Sequence, residues 1–169
     1  MILTREVILA EIKAGNLVVD PFDESKVGPA SVDLHLGEEL RISDEGGEPI
    51  DVREETDYHQ YSRLVPLNEP YALVPGATVL GITRERVRLA PNICGWLEGR
   101  SRFARIGLMI HVTAGFLSPG IDNRQVLEIS NLARRPLVLH AGVPICQIIF
   151  QRAEGSAVYK GRFAKQLKL

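Results

Sequence analysis

Helical spacing opens the chain, and strand spacing dominates its second half. Val7, Ile8 and Ile12 fall on one face of a helix, with Thr4 placed to cap it and Gly15 to stop it. Residues 17–19 run into Pro21, a boundary. Residues 31–36 alternate as Ser-Val-Asp-Leu-His-Leu, which predicts a half-buried strand closing at Gly37; residues 40–42 continue or return it. From 43 to 68 the chain turns acidic and irregular, a surface excursion with at most short strands. Then come β-prone runs at 71–74, 78–83, 93–98, 108–113, 125–131, 137–139 and 145–151, punctuated by Pro75-Gly76, Pro91-Asn92, Pro119-Gly120 and Ala141-Gly142. Between them, Phe103 and Ile106 share a face, so 101–106 reads as a short helix. Many short strands at close intervals predict a mainly β sandwich, jelly roll or barrel-like fold.

Length and composition narrow the class. At 169 residues, with 45% hydrophobic and 24% charged content, one soluble domain over 1–169 is expected. A net charge of −1 offers no bulk attraction to nucleic acid or to a membrane surface. No apolar run approaches the roughly 18 residues a membrane span needs. Glu6 and Glu11 stand where a secretory leader would be basic and apolar, so a cytoplasmic location is expected. Cys94 and Cys146 sit in apolar contexts and read as buried free thiols.

The chemically capable residues concentrate between 95 and 131. Arg100, Ser101, Arg102 and Arg105 put three guanidinium groups and a hydroxyl within six residues, and guanidinium is suited to bidentate phosphate recognition. Glu128 is an acid inside a strand of Val, Leu and Ile, on the wet face or held for a purpose. Together they suggest a polyanionic ligand presented to an acid–base group. His111 reads as a hydrogen-bonded core histidine and Trp96 as packing. The basic segment 155–169 leaves two readings open, disorder or a flap over a ligand.

Six segments in order carry a family resemblance. Residues 31–37 resemble an S-V-D-L-x-L-G strand, and 99–108 a G-R-S-S-x-A-R-x-G-L segment. His111-Val112-Thr113-Ala114 matches H-V-T-A, and Pro119-Gly120 with Leu127-Glu128 and Asn131 resembles a strand bearing a catalytic glutamate. Residues 142–150, with Gln147, resemble G-x-x-I-x-Q-x-x-F, and Tyr159-Lys160-Gly161-Arg162-Phe163 with Gln166 resembles a C-terminal lid. Over nearly its whole length the chain resembles the dCTP deaminases of the dUTPase-like superfamily.

The resemblance implies a distorted jelly roll with a short N-terminal helix and a C-terminal lid over about 155–169, assembled as a homotrimer with shared active sites. It implies hydrolytic deamination of dCTP to dUTP, with Mg²⁺ bound through the nucleotide triphosphate and no zinc. Glu128 takes the place of the proton shuttle, and Ser101 and Arg105 those of the pair that orients water and stabilises charge. Val112, Thr113 and Ala114 correspond to the groups that read the base. Arg100, Ser101, Arg102 and Arg105 lie in the phosphate-contacting segment; Gln147 and Ser118 complete the set, with Tyr159, Lys160, Arg162, Lys165 and Gln166 on the lid. dTTP is a candidate feedback inhibitor. The residues agree on zinc: no histidine has a Glu two positions later, and the cysteines are 52 positions apart, whereas zinc deaminases use H-x-E and P-C-x-x-C.

Two positions depart from the family. Arg102 replaces a second serine. Ser118 stands where an aspartate (I-D-P-G or I-D-A-G) positions the water that attacks phosphate, with Asp122 as a substitute only if the turn rearranges. The Arg102 cation leaves two readings open, added phosphate contact or a solvent-facing side chain, whereas Ser118 favours a monofunctional deaminase over a dUTP diphosphatase or bifunctional enzyme. A non-catalytic nucleotide-binding homologue is the reading from another class; the joint presence of Ser101, Arg105 and Glu128 argues against it.

Overall fold

The computed structural model describes residues 1–44 and 46–169. The expected helix is present as α1 (Arg5–Lys13), with Thr4 extended at its N-cap. Ile8 is fully buried, and Glu11 is held by Asn16 and Arg152. Leu17–Asp20 forms a strand, β1, that was expected only as a short segment before a boundary. It pairs antiparallel with the end of β5 (Thr78–Leu89), and its Leu17 and Val19 pack in the core.

The 31–36 strand does not close at Gly37. It runs on as β2 (Val32–Ser43), with a register shift against β5 between Leu36 and Leu40. Gly37 is what the approach demands: a Cβ there would lie 2.8 Å from the Ile82 carbonyl oxygen, so a side chain would push the strands apart. This bulge lets one half of β2 pair with β11 (Pro144–Arg152) and the other with β5 and β3 (Ser62–Pro66).

The remaining elements are β4 (Tyr71–Leu73), β6 (Ile93–Gly99), α2 (Ser101–Ala104), β7 (Leu108–Met109), β8 (Phe116–Leu117), β9 (Asp122–Asn131) and β10 (Leu137–Leu139). They form a nine-stranded antiparallel sheet in the order β7-β9-β5-β2-β11-β6-β8, with β1 on β5 and β3 on β2; β10 and β4 make a separate pair. The sheet curls around Leu34, Leu36, Leu40, Ile82, Leu127, Ile129, Ile148 and Phe150, all fully buried. The mainly β, jelly-roll-like fold expected from the strand pattern is the one observed.

Both cysteines are free and buried. Burial, and then the Glu85 and Asp33 carboxylates, push the Cys146 thiol upward, so it stays protonated. Among the described residues, no helix is long and apolar enough to cross a membrane.

Candidate active site

β9 builds the floor of the site through its period of two. Asn123, Gln125, Leu127 and Ile129 turn inward and are buried, while Asp122, Arg124, Val126 and Glu128 lie half-exposed on the other face. Glu128 stands opposite Leu80 of β5. The expected strand over 108–113 ends at Met109, because the next residues bend over Glu128. There the Val112 and Thr113 amides donate to Oε2 at 3.0 and 2.8 Å, and the Thr113 hydroxyl lies 3.1 Å from Oε1. Two amides on one oxygen and a hydroxyl beside the other fix the carboxyl group in orientation.

A cleft of about 450 Å³ opens beside it, lined by Glu128, His111, Ala114, Ser118, Arg124 and Tyr159 among others. His111 is not the hydrogen-bonded core histidine its apolar neighbours suggest: both ring nitrogens are buried without a partner among the described residues, and the ring borders the cleft. Trp96 is 45% exposed and rests on Phe116, with ring centroids 4.9 Å apart, on the outside of the sheet.

The turn into β9 places Ser118 at the cleft. Gly120, at φ +75°, lets the C-terminal segment pass, since a Cβ there would meet Val158 Cα at 2.9 Å. Asp122 does not reach into the cleft. Arg86 grips its carboxylate, with Nε 2.7 Å from Oδ1, so the substitution of Asp122 for the missing aspartate is not realised.

The arginine cluster lies elsewhere. Arg100 donates to the Pro144 carbonyl at 2.7 Å and pairs with Asp33 at 2.9 Å, tying α2 to β2 and β11. Ser101, Arg102 and Arg105 are exposed on and just after α2, and none borders the cleft of its own chain. Gln147 also bonds within the chain: it accepts from Ser31 at 2.8 Å and donates to the Gly99 carbonyl at 3.2 Å.

The tail is neither strand nor helix, but it is docked. Main-chain amides of Asp122 and Arg124 donate to the carbonyls of Ala164 and Gln166, at 3.1 and 2.8 Å. Tyr159 and Gln166 line the cleft, while Lys160, Arg162 and Lys165 face outward.

Sequence reasoning missed several wall residues: Arg124, Asn123, Gln125, Phe163 and Tyr58. Arg124 shares its strand face with Glu128 at a period of two, and that signal was available. Tyr58, in the acidic excursion, left none. Among the described residues no three His, Cys, Asp or Glu side chains gather as a metal-binding group.

The family description for dCTP deaminase-like proteins matches residues 2–153, which takes in every element from α1 to β11. The chain belongs to the dCTP deaminase-like family. A protein of Salinispora arenicola named dCTP deaminase, dUMP-forming, is 38% identical over 98% of this chain and 91% of its own. One of the same name from Methanobrevibacter smithii is 35% identical over 99% and 92%. Among solved structures, a 2′-deoxycytidine 5′-triphosphate deaminase from Agrobacterium tumefaciens superposes with a TM-score of 0.71 at 23% identity. It covers 90% of this chain, which spans 48% of that one, about half its length. A dUTPase from Streptococcus mutans gives 0.50 at 16% identity, over 84% and 98%. At these identities the structural likenesses establish the dUTPase-like fold alone. The docked tail lies beyond the family-matched residues.

Proposed function

We propose that the chain, acting as one domain over residues 1–169, deaminates dCTP hydrolytically, a reading supported by relatives named dCTP deaminase, dUMP-forming. The observation that carries this reading is the Glu128 carboxylate, held by the Val112 and Thr113 amides at the edge of a cleft of nucleoside size. Glu128 takes a proton from water as its oxygen bonds to C4 of the cytosine, and delivers it to N3. The same carboxylate then carries the proton of the new C4 hydroxyl to the amine, the C4–N bond breaks, and ammonia leaves as the C4 carbonyl of uracil forms. Free main-chain groups around Ala114 read the base edge.

Ser101 and Arg105 reach this centre from a neighbouring copy in a homotrimer, since both are exposed and neither borders the cleft of its own chain. Arg124, inside the cleft, and the tail cations Lys160, Arg162 and Lys165 supply positive charge for the triphosphate. Mg²⁺ enters as part of the nucleotide substrate, and dTTP would compete for the same cleft. Zinc has no role in this scheme.

dUTP is the product that Ser118 favours. A serine hydroxyl is no base at neutral pH, and the nearby Asp122 is committed to Arg86. A second reading, release of dUMP, is supported by the names of the relatives and requires a group other than an aspartate at 118 to activate the water for phosphate hydrolysis, Glu128 being the carboxylate that lines the cleft. Chromatography of dCTP and, separately, dUTP incubated with purified protein and Mg²⁺ tests both. Ammonia and dUTP from dCTP, with dUTP left intact, support the first reading; dUMP and pyrophosphate support the second. No reaction with dCTP overturns the proposal.

A further inference from the structure

The acidic excursion between β2 and β3 ends in a single 3₁₀ turn, Tyr58–Tyr61, that is braced from several sides. Asp57 accepts from the His59 amide at 3.2 Å and lies 2.6 Å from His59 Nδ1. The Tyr58 ring stacks on His59, centroids 4.1 Å apart, and the buried Arg41 guanidinium sits 5.6 Å from its centroid. Arg41 is fixed in turn by the Ser62 carbonyl at 2.9 Å. The Tyr58 ring is thus braced by His59 and Arg41, its carbonyl accepts from the Ser62 hydroxyl, and the residue lines the cleft.

The docked tail meets this turn through side chains. Gln166 Nε2 donates to the Tyr58 hydroxyl at 3.3 Å, and Arg162 Nη2 lies 3.3 Å from Asp57 Oδ1. On its other side the tail is held mostly through main chain: the Asp122 and Arg124 amides and Asn123 Nδ2, which donates to the Phe163 carbonyl at 2.7 Å. All of these tail partners are carbonyl oxygens, so β9 would hold almost any sequence. The turn reads Arg162 and Gln166 by their side chains.

We infer that Tyr58 and Asp57 are positioning residues for the nucleotide site: they latch the C-terminal tail through Gln166 and Arg162 and set how Gln166 faces the cleft. This rests on the nucleotide reading of the cleft. A latch of this kind contributes equally to ground state and transition state, so its loss raises KM and leaves kcat in place. Losing one hydrogen bond makes the undocked tail about two- to tenfold more populated, and the exposed ion pair adds at most about fivefold.

The test uses the full chain as wild type, Tyr58→Phe, Asp57→Asn and the double variant. Tyr58→Phe keeps the ring's contacts with His59 and Arg41 and removes only the hydroxyl. Brief trypsin digestion without nucleotide, followed by mass spectrometry, reads cleavage after Lys160, Arg162 and Lys165. Tail cleavage should rise by about two- to tenfold in Tyr58→Phe and by up to about fivefold in Asp57→Asn, with an unchanged Tm, and KM for dCTP should rise by no more than the same factor, with kcat within about twofold. Tail cleavage within experimental error of wild type in the double variant overturns the latch. So does a rise accompanied by cleavage throughout the chain and a lower Tm, which marks general destabilisation. If the wild type does not deaminate dCTP, the functional reading fails, while the proteolysis still decides whether the latch exists.

Discussion

Glu128→Gln separates proton transfer from everything else the carboxylate does. In the native site two main-chain amides and the Thr113 hydroxyl converge on it. Glutamine can place its oxygen at the Oε2 position, where it accepts from both amides. Its NH₂ then faces the Thr113 hydroxyl, which can rotate to accept. Each charge-assisted bond of about 1.5–3 kcal/mol becomes a neutral one of about 0.5–1.5 kcal/mol; solvent screening at this half-exposed position reduces the summed loss for the loop over Glu128 to about 1–2 kcal/mol. Spread over a chain of this size, that lowers Tm by less than about 8 °C. Loss of the proton shuttle weighs more: general acid–base catalysis is worth about 10²–10⁴ in rate, or about 3–5.5 kcal/mol. The expected result is kcat for dCTP reduced by about 10²–10⁴, with nucleotide affinity changed by less than about tenfold. Stopped-assay product chromatography gives the rate, calorimetric titration with dCTP the affinity, and a thermal melt the stability. If Glu128→Gln keeps kcat within tenfold of wild type, Glu128 is not the shuttle, whatever happens to binding. Thr113→Val keeps both amide donors and should cost only about three- to tenfold in kcat, through looser orientation.

Further outcomes follow from the same geometry. If sites are shared in a cyclic trimer as proposed, Arg105→Ala and Glu128→Gln should each be inactive, yet co-assembled at equal amounts they should recover about a quarter of wild-type activity through intact pairs; no recovery would mean that each site is built within one chain. Ser118→Asp should release dUMP from dUTP where the parent does not, whereas Asp122→Asn should leave the products unchanged because Arg86 holds that carboxylate. Hydrogen bonding from Asn16, together with Arg152, holds the Glu11 carboxyl below its ordinary value despite its burial. Its stabilisation is therefore present above about pH 4.5 and lost as the pH falls through the lowered value. Melts of Glu11→Gln should accordingly show a lower Tm than wild type at pH 7 and a converging one at pH 3. EDTA should inhibit by removing Mg²⁺ from the nucleotide, and zinc should not restore turnover; recovery with zinc alone would rule out the metal-free deamination step.

Much of the molecule was legible along the chain because it depends on neighbours. Helix α1, the short runs that became β4, β6, β10 and β11, the buried thiols, and Glu128 within a period-two strand all rest on spacings of a few residues. So does the ordered set of motifs that carries family membership. Other features depend on residues far apart in sequence. β2 continues through Gly37 because β5, more than forty positions on, accepts its bulge, and β1 is a strand because the end of β5 lies open beside it. The run at 108–113 has strand propensity, but the Glu128 carboxylate offers the Val112 and Thr113 amides better partners than a neighbouring strand would. Arg100 has the chemistry of a phosphate ligand, and Asp33 and Pro144 occupy it. Tyr58 carries no local mark of its place beside Gln166, from which 108 positions separate it. Local spacing decides which segments pair and which residues are chemically able. Only the packed chain decides which hydrogen-bonding groups are already taken, and so which remain free to meet a substrate.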